Sequence, residues 1–222
     1  MAASATRHSP VVVELFTSQG CSSCPPAEAF LGELAQRKDV IALEFHVNYW
    51  DYIGWKDAFA QPAFGVRQKK YVNSLQGRYA YTPQMVIDGS ADVVGSHRDE
   101  VDALIQRQLS ARPKAPTISM TRNGDTLKVS VGSGVHKGAY DVVLVTFDKP
   151  HVTDVERGEN RGQTLKNTNV VRELMTLGAW SGKASTYNVS LAGKAGNGGC
   201  AVLIQKQGQG PVLAAAEMHF QH

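Results

Sequence analysis

Apolar and polar positions follow one pattern in the first half of the chain and another in the second. Val11 to Thr17 is an almost continuous apolar, β-branched run broken only by Glu14, and it predicts a buried strand. From Ala27 to about Arg37 the spacing turns helical, with Ala29, Phe30, Leu31 and Leu34 on the apolar face. Val40 to Val47 predicts a second strand that begins right after Lys38-Asp39, so strand–helix–strand reads as a parallel crossover. Residues 58–76 predict a helix that buries Phe59, Phe64, Val66, Tyr71 and Leu75. Ile87-Asp88-Gly89-Ser90 is a hairpin signal, with Asp92 to Gly95 as the partner strand. A last helix opens at Ser96 or His97 and carries Val101, Leu104, Ile105 and Leu109 on one face.

Arg112-Pro113-Lys114-Ala115-Pro116 marks a boundary, because two prolines in that run disfavour continuing the helix. Beyond it Thr117–Arg122, Thr126–Val131, Tyr140–Phe147, Thr186–Leu191, Cys200–Gln205 and Val212–Phe220 all read as strands. Asn123-Gly124-Asp125 is a favoured hairpin turn. The expectation is an α/β domain over residues 9–112, followed by an all-β, sandwich-like domain over residues 113–222.

Composition adds limits. The 222 residues are 42% hydrophobic and 19% charged, enough for a sizeable core without help from disulfides. The net charge of +3 is too small to argue for a nucleic-acid partner. Residues 1–112 hold 11 basic and 12 acidic side chains, and residues 113–222 hold 12 and 8, a mild asymmetry that solvated surface explains. No apolar run is long enough to span a membrane. The first eight residues contain no apolar segment of the signal-peptide kind, which fits either a cytosolic chain or a mature form given a new Met. Oligomeric state is left open.

The chemistry concentrates in Cys21-Ser22-Ser23-Cys24-Pro25-Pro26, between the first strand and its helix. Two thiols so spaced can close a small disulfide loop, and a helix N-terminus favours the thiolate of the first. Cys21 is the candidate nucleophile and Cys24 its resolving partner. A structural disulfide and half of a metal site are the competing readings. A structural zinc site needs about four ligands, yet the chain has no second Cys-x-x-Cys. Cys200, in an apolar strand, reads as a buried inert thiol. Neither a metal nor another cofactor is expected. Soft-metal delivery through Cys21, Cys24 and His46 is a weaker idea.

Other residues could serve the pair. Glu14 is either a proton relay to the thiols or a carboxylate that faces solvent or a salt bridge. Tyr49, Trp50, Tyr52 and Trp55 fall within seven residues, beside His46 and Asp51. They form either a binding wall or a packed cap. Thr82-Pro83 precedes a strand and suits a turn with a cis bond. Arg157, Glu159, Asn160, Arg161 and Arg172 lie in a Gly-punctuated polar stretch that could bind an anion, dock against the first half or simply form a long exposed hairpin.

The order strand, Cys-x-x-Cys, helix, strand, helix, Thr-Pro, hairpin, helix resembles the thioredoxin fold. Its members set a cis-proline beside the dithiol, so the resemblance implies that Pro83 shapes a substrate groove and that the backbone of Thr82 pairs with an extended substrate. The Cys-Ser-Ser-Cys core differs from thioredoxin's Cys-Gly-Pro-Cys, and Leu15 stands nearer than Glu14 to the register of its buried acid. More narrowly, Glu14 to Pro26, His46 to Asp57 and Tyr81 to Gly89 resemble an uncharacterised bacterial family with a thioredoxin-like first part. Its members are usually predicted to be secreted, which implies a periplasmic or extracellular location. The function expected is that of a thiol–disulfide oxidoreductase acting on protein or peptide thiols. The alternative is a non-enzymatic binding module with a structural disulfide and an inter-domain site.

Overall fold

The structure, a computed structural model, describes residues 9–112 and 115–220. Pro113 and Lys114 of the expected linker, and the first eight residues, lie outside them. Strands β1 (Val11–Thr17) and β2 (Val40–His46) run parallel, joined through helix α1 (Pro25–Leu34). A short 3-10 turn (Asp51–Ile53) and helix α2 (Pro62–Ser74) lead to the antiparallel pair β3 (Gln84–Ile87) and β4 (Ala91–Val94), then to helix α3 (Arg98–Ala111). The sheet order is β2-β1-β3-β4.

Nine further strands follow among the described residues: β5 (Ile118–Asn123), β6 (Thr126–Val131), β7 (Tyr140–Phe147), β8 (His151–Asp154), β9 (Thr164–Asn167), β10 (Val171–Trp180), β11 (Ser185–Ser190), β12 (Gly199–Lys206) and β13 (Val212–His219). They form sheets of order β10-β7-β12-β13 and β11-β6-β5, plus the β8–β9 hairpin.

The expected α/β thioredoxin-like domain followed by a sandwich-like domain is therefore corrected. The chain is mostly β, with 40% strand against 19% helix, spread over several small sheets. Strand alternation supplies the physical reason. On β1, Val11, Val13 and Leu15 face α1 and α3, packing with Phe30, Leu31, Val101 and Ile105. Val12 and Phe16 face the other way, onto Val143, Val145 and Phe147 of β7, Ala201 and Leu203 of β12, and Phe64 and Tyr71 of α2. The second half thus covers a face that helices would cover in a self-contained α/β unit. A third core, with Leu127, Val129, Leu144, Val202 and Trp180, lies between the two larger β-sheets of the second half.

Polar contacts tie the halves together. Glu14 is 1% exposed and forms a two-pronged ion pair with Arg67 of α2 at 2.6 and 2.8 Å. Arg67 also donates to Gln205 of β12 at 3.1 Å, and Gln205 donates to the Tyr71 hydroxyl at 2.8 Å. At the β3–β4 turn, the buried Asp88 carboxylate pairs with Arg112, and the Asp88 carbonyl accepts from Val212 N–H at 2.8 Å.

Gly89 in that turn has φ of +60°, and a Cβ there would sit 2.5 Å from the Gly210 carbonyl oxygen. Gly89→Ala is expected to destabilise the fold by about 2–4 kcal/mol, since a left-handed backbone and a steric clash both oppose it. A urea midpoint equal to that of the unaltered chain would contradict this packing.

Candidate functional site

Cys21 and Cys24 form a disulfide at the start of α1, with a Cα–Cα distance of 5.4 Å. Cys24 takes the N-cap position, and its carbonyl accepts from the Ala27 and Glu28 amides at 2.9 and 3.1 Å. Pro25 and Pro26 fill the first two helical positions, so that turn has fewer free N–H donors than usual. A hydroxyl approaches the sulfur instead. Thr82 Oγ1 donates to Cys21 Sγ at 3.2 Å, while Trp50 Nε1 donates to Thr82 Oγ1 at 2.8 Å. An indole N–H can only donate, so the single hydroxyl proton of Thr82 is left for the sulfur. Such a bond favours a thiolate at Cys21. Ser23 Oγ lies 3.4 Å from the same sulfur. The Thr82–Pro83 peptide bond is cis, and Pro83 is buried.

Both cysteines are covered: Cys21 is 2% exposed and Cys24 0%. Trp50 closes one side, with its Cβ 3.3 Å from where a side chain on Gly20 would begin. The turn between β8 and β9 docks on the main chain that leads into Cys21. Its Asn160, 1% exposed, donates to the carbonyls of Gln19 at 2.8 Å and Cys21 at 3.0 Å. Gln19 joins the two loops. Its amide N–H donates to Asp57 at 2.8 Å, its side-chain oxygen accepts from Trp55 Nε1 at 3.0 Å, and its side-chain nitrogen donates to Thr153 of β8 at 3.1 Å.

Beneath these loops lies a buried ionisable cluster. His46 Nδ1 meets Asp57 at 2.7 Å, and His46 Nε2 lies 3.6 Å from Glu44. Glu44 accepts from Asn167 Nδ2 and from the Thr168 amide at 2.9 and 2.7 Å. Burial alone would neutralise His46, but Asp57 and Glu44 outweigh it and hold the imidazolium up to a pKa of about 10. Burial likewise opposes the charge on Asp57, and His46 overrides it, so that carboxyl stays below its usual range. Glu28 goes the other way. Burial first, and the charge of Glu44 second, push its carboxyl up to about 8. Thr17 Oγ1 donates to Glu28 Oε1 at 2.7 Å, and Glu28 Oε2 has no partner among the described residues. Glu28 lies one helical turn after Cys24 on the same face, a separation of about 5–6 Å between Cβ atoms.

Of the residues singled out in the sequence, Cys21, Cys24, Thr82, Pro83, Trp50 and Asn160 come together, and Trp55 joins them through Gln19. Tyr49 donates to Gln68 at 3.2 Å and packs at the edge of the central core. Glu14 is committed to Arg67 and Tyr71, and none of its hydrogen bonds leads to the cysteines. Arg157 and Glu159 are exposed beside Asn160. Arg172 lies over the Phe59 ring and 3.6 Å from Asp148. Cys200 is fully buried, and burial pushes its thiol up to about 12. Among the described residues, no group of three or more His, Cys, Asp or Glu side chains is placed to hold a metal ion. No helix there is long and apolar enough to cross a membrane.

Sequence reasoning passed over Gln19, Glu28, Glu44 and Asn167. The signal available was a carboxylate inside a predicted apolar strand (Glu44) and one at four residues past Cys24 (Glu28).

A crystal structure of an Agrobacterium tumefaciens protein is similar over 98% of this chain and 100% of that one, with 31% identity and a TM-score of 0.83. A structure described as HBP35 of Porphyromonas gingivalis shares 10% identity over 97% of this chain and 76% of its own, with a TM-score of 0.58, a likeness of fold alone. No curated protein is similar enough to count as a match. Residues 12–205 match the family described as protein of unknown function (DUF1223), and with nearly the whole chain matched the protein belongs to that family.

Proposed function

We propose that the chain is a thiol–disulfide oxidoreductase in which Cys21 and Cys24 are the redox pair. The observation that carries this reading is the disulfide at the start of α1 with the Thr82 hydroxyl aimed at Cys21 Sγ. In the oxidised protein, a substrate thiolate attacks Cys21 Sγ. The Cys21–Cys24 bond breaks, and Cys24 leaves as a thiolate that takes up one proton. A second substrate thiol, losing its proton, then attacks the mixed disulfide. The substrate departs as a disulfide, and the protein keeps two thiols. The reverse sequence reduces a substrate disulfide.

Cys21 attacks or is attacked, and Thr82 stabilises its thiolate. Glu28, one turn below Cys24, is the group best placed to exchange the proton there. Substrates are protein or peptide thiols and disulfides whose extended segment pairs with the Thr82 backbone, beside Trp50. A pair of this kind stays oxidised in a periplasmic or extracellular compartment.

The test is turnover of a two-cysteine model peptide. Cys21→Ala is expected to reduce it to background, and Cys24→Ala to trap a mixed disulfide at Cys21 visible by mass. Full turnover in Cys21→Ala would exclude the mechanism.

A second reading has support of its own. The near-complete burial of both sulfurs suits a structural disulfide in a binding module. A groove of about 910 Å³ between α2 and the second sheet, lined by Arg67, Lys70, Val143, Leu174 and Gln207, is large enough for a small molecule.

A further inference from the structure

The β8–β9 hairpin comes from the second half of the chain, yet its tip is hydrogen-bonded through Asn160 to the main-chain carbonyls of Gln19 and Cys21 in the first. Its base is fixed along the free edge of β2. The Glu44 amide donates to the Asn169 carbonyl at 3.1 Å, and Asn169 Nδ2 donates to the Ala42 carbonyl at 3.0 Å. From that anchor the hairpin reaches over to the β1–α1 turn. The tip, residues 155–163, is held by its own bonds, such as Val155 N–H to the Gln163 carbonyl at 2.9 Å and Gly162 N–H to the Val155 carbonyl at 2.7 Å.

Beyond the two bonds from Asn160, the tip is held by the buried Val155 side chain and by a close approach at Gly158. Gly158 has φ of +76°, and a Cβ there would lie 3.1 Å from Trp55 Cβ. The anchor is thus a sheet-edge pairing, whereas the tip buries one apolar side chain, Val155, and is otherwise held by the Asn160 bonds and the approach at Gly158. Units with few apolar contacts open locally well below the free energy of global unfolding.

An attacking sulfur must approach Cys21 Sγ along the S–S axis, from the side away from Cys24. A residue that is 2% exposed offers no such approach to a group as large as a thiolate.

We propose that the tip 155–163 is a cover over Cys21, latched by Asn160, which lifts before any thiol can react there and so selects small or extended thiols over cysteines held in a folded surface. Asn160 acts on access and is a specificity-determining residue; it takes no part in bond making. The biological meaning of this selection rests on the redox reading above, whereas the cover itself does not.

The experiment follows reduction of the Cys21–Cys24 bond in the intact chain by excess dithiothreitol, with rapid alkylation and mass detection. Dithiothreitol supplies both electrons and leaves as its cyclic disulfide. Asn160→Ala removes both latch bonds and is expected to speed reduction about tenfold, the factor corresponding to about 1.4 kcal/mol. Gly158→Val, which crowds Trp55 without touching Cys21, is expected to act in the same direction. The unaltered protein should show a rate that levels off as dithiothreitol is raised, because opening becomes limiting. The plateau should rise about tenfold in Asn160→Ala and move in the same direction in Gly158→Val, a change that mere loss of stability elsewhere would not produce.

Unchanged reduction rates in both variants, each with native circular dichroism, would overturn the cover. Gated reduction without turnover of any model peptide would keep the cover and remove the redox function. Turnover with ungated reduction would do the reverse.

Discussion

Arg67→Met is expected to destabilise the protein by about 3–5 kcal/mol, the range found when one partner of a buried ion pair is removed. Arg67 is 9% exposed and Glu14 1%. The guanidinium satisfies both carboxylate oxygens of Glu14 and also reaches Tyr71 at 3.1 Å. Its charge lies over the Phe45 and Tyr71 rings, 5.5 and 5.2 Å from their centroids. Without it, a carboxylate remains inside the core shared by the two halves, where water cannot replace the lost partner. The double variant Glu14→Gln with Arg67→Met should recover a large part of the loss, because the stranded charge is gone. Urea unfolding of the single and double variants reads both values. A single variant within about 1 kcal/mol of the unaltered chain would mean that the pair is solvated.

Stability is also expected to fall as pH rises from about 4.5 to about 10. Glu28 and His46 carry the largest raised values in this window and act with the same sign. Glu28 loses its proton near 4.5 when unfolded but near 8 when folded. Its contribution is therefore complete below 4.5 and is lost as pH rises through 8. His46 gains partners on folding and titrates at about 10 instead of 6.5, so its contribution is complete below 6.5 and lost as pH rises through 10. For Glu28 the linked change amounts to about 3–5 kcal/mol. Glu28→Gln keeps an acceptor for Thr17 and removes that titration. The variant should match the unaltered chain near pH 4 and exceed it increasingly up to pH 8. Denaturation midpoints measured across this range test it, and parallel pH profiles would show that Glu28 titrates normally.

Much of the first half was legible because its signals are local. The β-branched run of β1, the thiol pair before a proline-started helix, and Asp88-Gly89 with φ of +49° and +60° each encode their own geometry. The site was half legible for the same reason: Cys21, Thr82 and Trp50 announce themselves by residue type. What periodicity cannot state is which surface covers a strand. Val12 and Phe16 look no different from Val13 and Leu15, yet they pack on the second half of the chain.

β10 escaped notice because Arg172, Glu173, Thr176 and Gly178 interrupt its pattern, and two register shifts against β7 break the alternation. The polar, Gly-punctuated tip leaves docking and an exposed hairpin both open to a sequence reading: Arg157 and Glu159 are exposed, whereas Val155 and Asn160 are buried. Glu14 was readable as an anomaly in its strand but not as the partner of Arg67, which lies 53 residues away.

The reduction potential of Cys21–Cys24 tests the central claim most directly. The protein is equilibrated in glutathione buffers of graded composition, and free thiols are trapped and counted by mass. Stabilisation of the Cys21 thiolate by Thr82 favours the reduced form, so the potential is expected between roughly −120 and −270 mV, the span from strong oxidants to thioredoxin. A value below about −300 mV, the range of disulfides that resist the glutathione pool, would contradict redox function and leave the Cys21–Cys24 bond as a structural staple.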